Sequence, residues 1–165
     1  MTTDGPLTLE QLVAPTPLGR WRDEHWGRTT VHLPGGAGRI AGWRDARGWR
    51  SWAHTELHAA SLDDAGIQQR EAIGAEQIEG RLDAGATVCA DVSADTRVRP
   101  LLADLTACLA ASRGRPFAKL YLSGPNRGYV LHTDRFHVMV VQLSGRKRWW
   151  VGERPAVANA TAGSE

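Results

Sequence analysis

His132 and Asp134 are the residues whose types and spacing could do chemistry most directly. They stand two apart, and on a strand such residues project from the same face. A neutral imidazole beside a carboxylate supplies two of the three ligands of the facial triad that holds Fe(II). The pair alone is not specific, because a solvated polar pair at a strand start has the same spelling. His137 lies five residues from His132. On an unbroken strand it points to the opposite face, so solvent or packing is its expected surrounding. Cys89 and Cys108 both sit among apolar neighbours and are expected to be buried free thiols.

The elements that must position this pair follow from periodicity and punctuation. Thr8 to Val13 is a short helix stopped by Pro15, and Thr16-Pro17 opens a second helix that runs to about Trp26. Thr30 to Leu33 alternates like a strand. Five of the seven tryptophans lie between Trp21 and Trp52, with Arg and Gly among them. Such a mixture can stack on nucleic-acid bases. The interspersed Asp23, Glu24 and Asp45 favour instead a small helical lobe with Arg stems over indole faces. Ser61 to Asp64 reads as a helix start. Glu76 to Leu82 reads as a helix ended by Gly85, followed by a strand from Ala86 to Val92. Arg99-Pro100 precedes an amphipathic helix with Leu101, Leu102, Leu105 and Leu109 on one side, closed by Gly114. From Phe117 the period becomes two. Phe117 to Leu122 is a predicted strand, Ser123 to Gly128 a turn-rich loop, and Tyr129 to Leu143 a long, bent strand. Ser144-Gly145 is a predicted hairpin turn, Arg146 to Val151 the return strand, and the residues after Glu153 a frayed end.

Composition bounds the rest. With 165 residues, 42% hydrophobic and 23% charged, the chain is of ordinary globular make-up and of one-domain length. Twenty basic and 18 acidic side chains leave a formal charge of +2, which excludes a polycation that coats nucleic acid. Two cysteines are too few for a disulfide scaffold. The first residues show no basic and apolar leader, and no run approaches 18 apolar residues. A reduced, cytoplasmic setting without membrane contact is expected.

The stretches Lys119 to Asn126, Gly128 to Asp134 and Val140 to Val151 form a larger pattern. They read as a tyrosine-bearing strand, a Gly-rich loop, His-x-Asp, and then Gln-Leu-x-Gly-Arg-Lys-Arg-Trp. This resembles the JmjC-type hydroxylases of the ribosomal oxygenase group, in the cupin superfamily. The resemblance is specific over residues 117–151. It extends more loosely to Gly85–Val88, Leu101–Leu109 and Glu24–Arg28, so that residues 16–154 fall within it. It implies an α+β fold, with an N-terminal helical lobe leading into a double-stranded β-helix (jelly roll) incomplete at its C-terminal side. The corresponding boundaries are 1–115 for the lead-in, 116–154 for the first part of the barrel and 155–165 for a disordered tail.

The same resemblance implies a dioxygenase using Fe(II), O2 and 2-oxoglutarate to hydroxylate a protein side chain, with a ribosomal protein as the first expectation for the substrate. His132 and Asp134 would ligate the iron. Lys147 and Tyr121 would hold the far carboxylate of 2-oxoglutarate. The return strand agrees for Lys147, which shares a face with Trp149 and Val151 while Arg146 and Arg148 face the other way. A lysine directed into a barrel needs an anion. For Tyr121 the alternative is a core tyrosine with a satisfied hydroxyl.

The chain departs from the family pattern after Asp134. The second metal histidine, expected well downstream, is not in the sequence, and residue 165 falls where such a barrel is half built. Val138, Val140 and Trp149 are therefore expected to lack an opposing sheet, and exposed strand edges favour self-association. Three readings stay open: part of a hydroxylase, a non-catalytic binding module, or one half of a split enzyme. Seven basic and two acidic residues between Phe117 and Arg154 give a local charge of +5 that would suit ribosomal RNA or a basic-patch partner of such a binding module; ribosome association is expected, and direct nucleic-acid binding by the whole chain is not.

Overall fold

The computed structural model describes residues 7–34, 40, 43, 48–52, 56–62, 68–109, 114–134 and 136–152. These fall into two compact units, one of residues 45–130 and the other of residues 1–44 together with 131–165.

The 45–130 unit is built on a four-stranded antiparallel sheet. Its strands are β1 (Leu57–Leu62), β2 (Gln68–Ile73), β3 (Thr87–Asp91) and β4 (Lys119–Ser123), in the order β2-β1-β3-β4. Small side chains let β1 bury residues on both faces: Leu57 and Ala59 point one way and Ala60 the other, all buried. Leu57 stands opposite Ala90, and Ala59 opposite Val88. With Trp52 and Ile78 they make an apolar layer, and Ile78 has no exposed surface. The reverse face carries Thr87 opposite Ser123, their hydroxyls 3.0 Å apart, and His58, Cys89 and Tyr121 in one cross-strand row. β2 is an exposed edge carrying Arg70 and Glu71, which keeps another strand from pairing there.

Helix α3 (Ile78–Asp83) follows a 3-10 turn at Ala75–Gln77. It ends at Gly85, with φ +90°, the Gly85 amide donating to the Leu82 carbonyl at 3.0 Å and the Ala86 amide to Arg81 at 2.9 Å. Those two bonds define a Schellman cap, whose left-handed position favours glycine. Helix α4 (Arg99–Cys108) buries Leu101 and Leu105, one turn apart. Before it, buried Asp95 accepts the Arg97 guanidinium at 2.6 and 2.9 Å, and that guanidinium lies 3.6 Å over the Trp52 ring.

In the other unit, α1 (Leu9–Val13) opens with a capping box: the Gln11 amide donates to Thr8 Oγ1 at 3.2 Å and the Thr8 amide to Gln11 Oε1 at 3.0 Å. Helix α2 (Leu18–Arg20) continues as a π-helical turn over Trp21–His25 and buries Trp21, which packs on Trp26 at 5.1 Å. Pro17, not Thr16, is the residue that flanks this helix.

Several expectations are corrected. Ser61 and Leu62 do not start a helix: they end β1, paired with Gln69 and Gln68, so the ladder overrides a local cap signal. Thr30–Leu33, Tyr129–Leu143 and Arg146–Val151 form no backbone ladder among the described residues. Period-two patterning marks a chain that can be extended, but a strand also needs a neighbour to bond to. Cys108 is half-buried rather than buried, while Cys89 is buried as expected, and both are free. The frayed end after Glu153, the closure of α4 just before Gly114 and the span at 63–64 lie outside the described residues.

Candidate functional site

The loop that leaves β4 is held by close backbone approaches. A Cβ on Gly124 would stand 3.3 Å from the Leu82 carbonyl oxygen. The Arg127 guanidinium lies against Gly85, where a Cβ would meet its Nε at 2.9 Å. Asn126 turns the chain with φ +57°, a conformation its short polar side chain tolerates. Beyond this loop come the two residues with the ligand-like spacing.

His132 Nε2 and Asp134 Oδ2 lie 3.7 Å apart, with about a third of each side chain exposed (35% and 34%). The shared face expected from their spacing is therefore present without a strand ladder. Two donors each about 2.1 Å from one metal ion stand about 3.0 Å apart at right angles and about 3.4 Å apart at a tetrahedral angle. Small side-chain rotations close the remaining gap of about 0.7 Å at a right angle, or about 0.3 Å at a tetrahedral angle. An imidazole and a carboxylate also suit a hard or borderline divalent ion, so the donor set fits Fe(II). Among the described residues no group of three or more His, Cys, Asp and Glu side chains could hold a metal ion. The pair thus offers two adjacent coordination positions.

His137 is engaged elsewhere, as expected. Its ring meets Trp26 edge-on at 5.3 Å and lies 3.2 Å from where a Gly27 Cβ would be. Gly27 has φ +69°, so two independent constraints favour glycine there. This contact ties the π-helical turn to the segment that carries the His-x-Asp pair.

Lys147 is half-buried, with its Nζ 5.4 Å from the Trp149 ring centroid, so the two share a side. Tyr121 lies on β4 opposite Cys89, 48% exposed, so it is not a core tyrosine. Its ring meets Tyr129 edge-on at 5.5 Å. Tyr121 belongs to the 45–130 unit; His132, Asp134 and Lys147 belong to the other.

Sequence reasoning missed the surroundings of Tyr121. Burial pushes the Cys89 thiol up, against the opposing pull of Lys119 and Arg70 and a hydrogen bond from Tyr121. Burial likewise raises Tyr129, with the neighbouring Cys89 adding to the rise. Both groups stay protonated at neutral pH, so this patch of sheet keeps hydroxyl and thiol donors beside two cations. Only the cross-strand register, which the sequence does not display, could have revealed it.

Residues 93–165, somewhat under half of the chain, match the JmjC domain family. The match takes in α4, β4 and all four candidate residues, Tyr121, His132, Asp134 and Lys147. It supports a member of the JmjC/cupin family, and with it a mixed helix and antiparallel-sheet fold of that type. The family is of the 2-oxoglutarate/Fe(II) oxygenase type. No curated protein matches the chain. No helix among the described residues is long and apolar enough to cross a membrane.

Proposed function

We propose that this chain carries metal- and co-substrate-binding residues of an Fe(II)- and 2-oxoglutarate-dependent oxygenase that hydroxylates a protein side chain. The observation that carries the reading is the His132–Asp134 pair, 3.7 Å apart within the JmjC-matched stretch. Bound iron would supply the oxidative chemistry, with O2 and 2-oxoglutarate as co-substrates. His132 Nε2 and Asp134 Oδ2 hold the metal from one side. Lys147 contributes a positive charge to the far carboxylate of the dicarboxylate. The ribosomal oxygenase group is the subgroup whose motif spelling the chain shares, and a ribosomal protein is the first substrate to try.

Calorimetric titration with Mn(II), a redox-silent stand-in for Fe(II), tests the metal half. The wild-type chain binds, while His132→Ala and Asp134→Ala each lose binding. With metal present, 2-oxoglutarate binds the wild type and binds Lys147→Ala more weakly, with metal binding intact. Equal metal affinity in wild type and both alanine variants would refute the assignment. Turnover is then read as succinate formed together with one oxygen atom added to a ribosomal protein, by mass spectrometry.

A further inference from the structure

Trp26 and His137 join two stretches of one unit that are far apart in sequence. Trp21 is buried, and Trp26 packs on it with ring centroids 5.1 Å apart and planes tilted by 45°. In an α-helix, residues five apart stand about 140° apart around the axis. The π-helical turn over Trp21–His25 is closed by the Trp26 amide donating to the Trp21 carbonyl at 3.0 Å, and it brings both indoles to one side. The chain then turns at Gly27, with φ +69°. The Arg28 and Thr29 amides donate to the His25 carbonyl at 3.0 and 3.1 Å and fix that turn.

His137 is seated on this platform. Its ring meets Trp26 edge-on at 5.3 Å, and its Cε1 and Nε2 atoms each lie 3.2 Å from where a Gly27 Cβ would stand. His137 follows Asp134 by three residues. Three residues span at most about 11 Å. Fixing the His137 ring therefore limits how far Asp134 can travel, and with it the 3.7 Å approach to His132. Short π turns are uncommon and recur at functional sites. What this one places is the indole that holds His137.

We propose that Trp26 is a positioning residue for the His132–Asp134 pair, acting through His137 to hold the pair ready for a divalent ion. The proposal deepens the metal reading of that pair and rests on it. A loose segment must be ordered when the ion binds, which lowers affinity; a tethered segment is ordered beforehand. The tether can add no more to metal affinity than its own interaction is worth.

The test is Mn(II) titration of the whole chain under conditions where urea melts show each variant folded. Trp26→Leu keeps apolar volume and removes the ring, and is expected to weaken Mn(II) binding about 2- to 12-fold, the worth of one aromatic pair. His137→Ala, at an exposed position that leaves the fold intact, gives the same loss. Trp26→Phe restores the edge-on pair and the affinity. In the His137→Ala background Trp26→Leu has no further effect, because its route is gone. In the metal-free chain, amide order parameters of residues 132–134 fall in both Trp26→Leu and His137→Ala. A side chain that only fills space would lower the urea midpoint and leave the affinity of the folded chain as it was. Wild-type affinity in Trp26→Leu and His137→Ala, with His132→Ala still losing the metal, would overturn the proposal and leave the metal assignment standing. So would an equal loss from Trp26→Leu with and without His137. Equal binding by wild type and His132→Ala, or none by either, would overturn the metal assignment and the proposal with it.

Discussion

Gly85→Ala probes the turn that joins α3 to β3 and supports the loop ahead of His132. Gly85 has φ +90°, where an L-residue with a Cβ is strained; left-handed backbone costs such a residue about 1–2 kcal/mol. The added methyl also meets Arg127 Nε at 2.9 Å and its Cζ at 3.1 Å. Arg127 is an exposed, flexible side chain, so it yields by swinging away and gives up its packing rather than distorting the backbone. That second contribution is about 0.5 kcal/mol, as for other exposed contacts. The total, about 1.5–2.5 kcal/mol, corresponds to a drop in Tm of about 3–10 °C for a chain of this length. A double-mutant cycle with Arg127→Ala in urea melts separates the two. Gly85→Ala alone carries both costs, and in the Arg127→Ala background only the backbone cost persists, leaving a coupling of about 0.5 kcal/mol. A neutral Gly85→Ala would refute the left-handed cap. A full effect with no coupling would refute the Arg127 contact.

Other substitutions test the remaining supports. Ile78→Ala, at a position with no exposed surface, costs about 2–5 kcal/mol in denaturant melts. Arg97→Met leaves buried Asp95 without the guanidinium that gives it bonds of 2.6 and 2.9 Å, and costs about 3 kcal/mol by the same measure. Cys89 has its thiol raised above the ordinary 9.0, so the unfolded chain releases that proton first and stability falls as pH rises past about 9. Tyr129 adds to the same decline from its ordinary 10.0. Urea midpoints from pH 7 to 10 show this limb, and Cys89→Ala makes it shallower.

Local signals recovered the helices well. The Pro15 stop, the Gly85 stop and the Arg99-Pro100 start are local signals, and α1, α3 and α4 stand within about two residues of where those signals put them. β3 and β4 were also legible, within one or two residues, from apolar runs bounded by turn residues. The hairpin of β1 and β2 was not. β2 is exposed at five of its six positions, so it has no apolar alternation to announce it. Ser61-Leu62 carries a helix-start spelling that pairing with Gln69 and Gln68 overrules. Between Tyr129 and Val151 the difference runs the other way: alternation is present, and among the described residues no ladder forms.

The site divides along the same line. A two-residue spacing is a local property, so the His132–Asp134 pairing could be read directly, as could the shared side of Lys147 and Trp149. His137 was excluded from the pair by parity, but its contact with Trp26 and Gly27 depends on a packing more than a hundred residues away in sequence, which spacing does not encode. The neighbours of Tyr121 are likewise a product of register: Cys89 faces it only because β3 and β4 pair Thr87 with Ser123 and Asp91 with Lys119. A shift of one residue would turn Cys89 to the apolar layer and bring Val88 or Ala90 to Tyr121's side. That makes the Thr87–Ser123 hydroxyl bond a register pin. Thr87→Val keeps the shape and removes the bond, and should loosen the Tyr121 side of the sheet. Amide exchange should then rise on β4 and leave β1 protected; equal protection in the two proteins would show that the apolar layer alone holds the register.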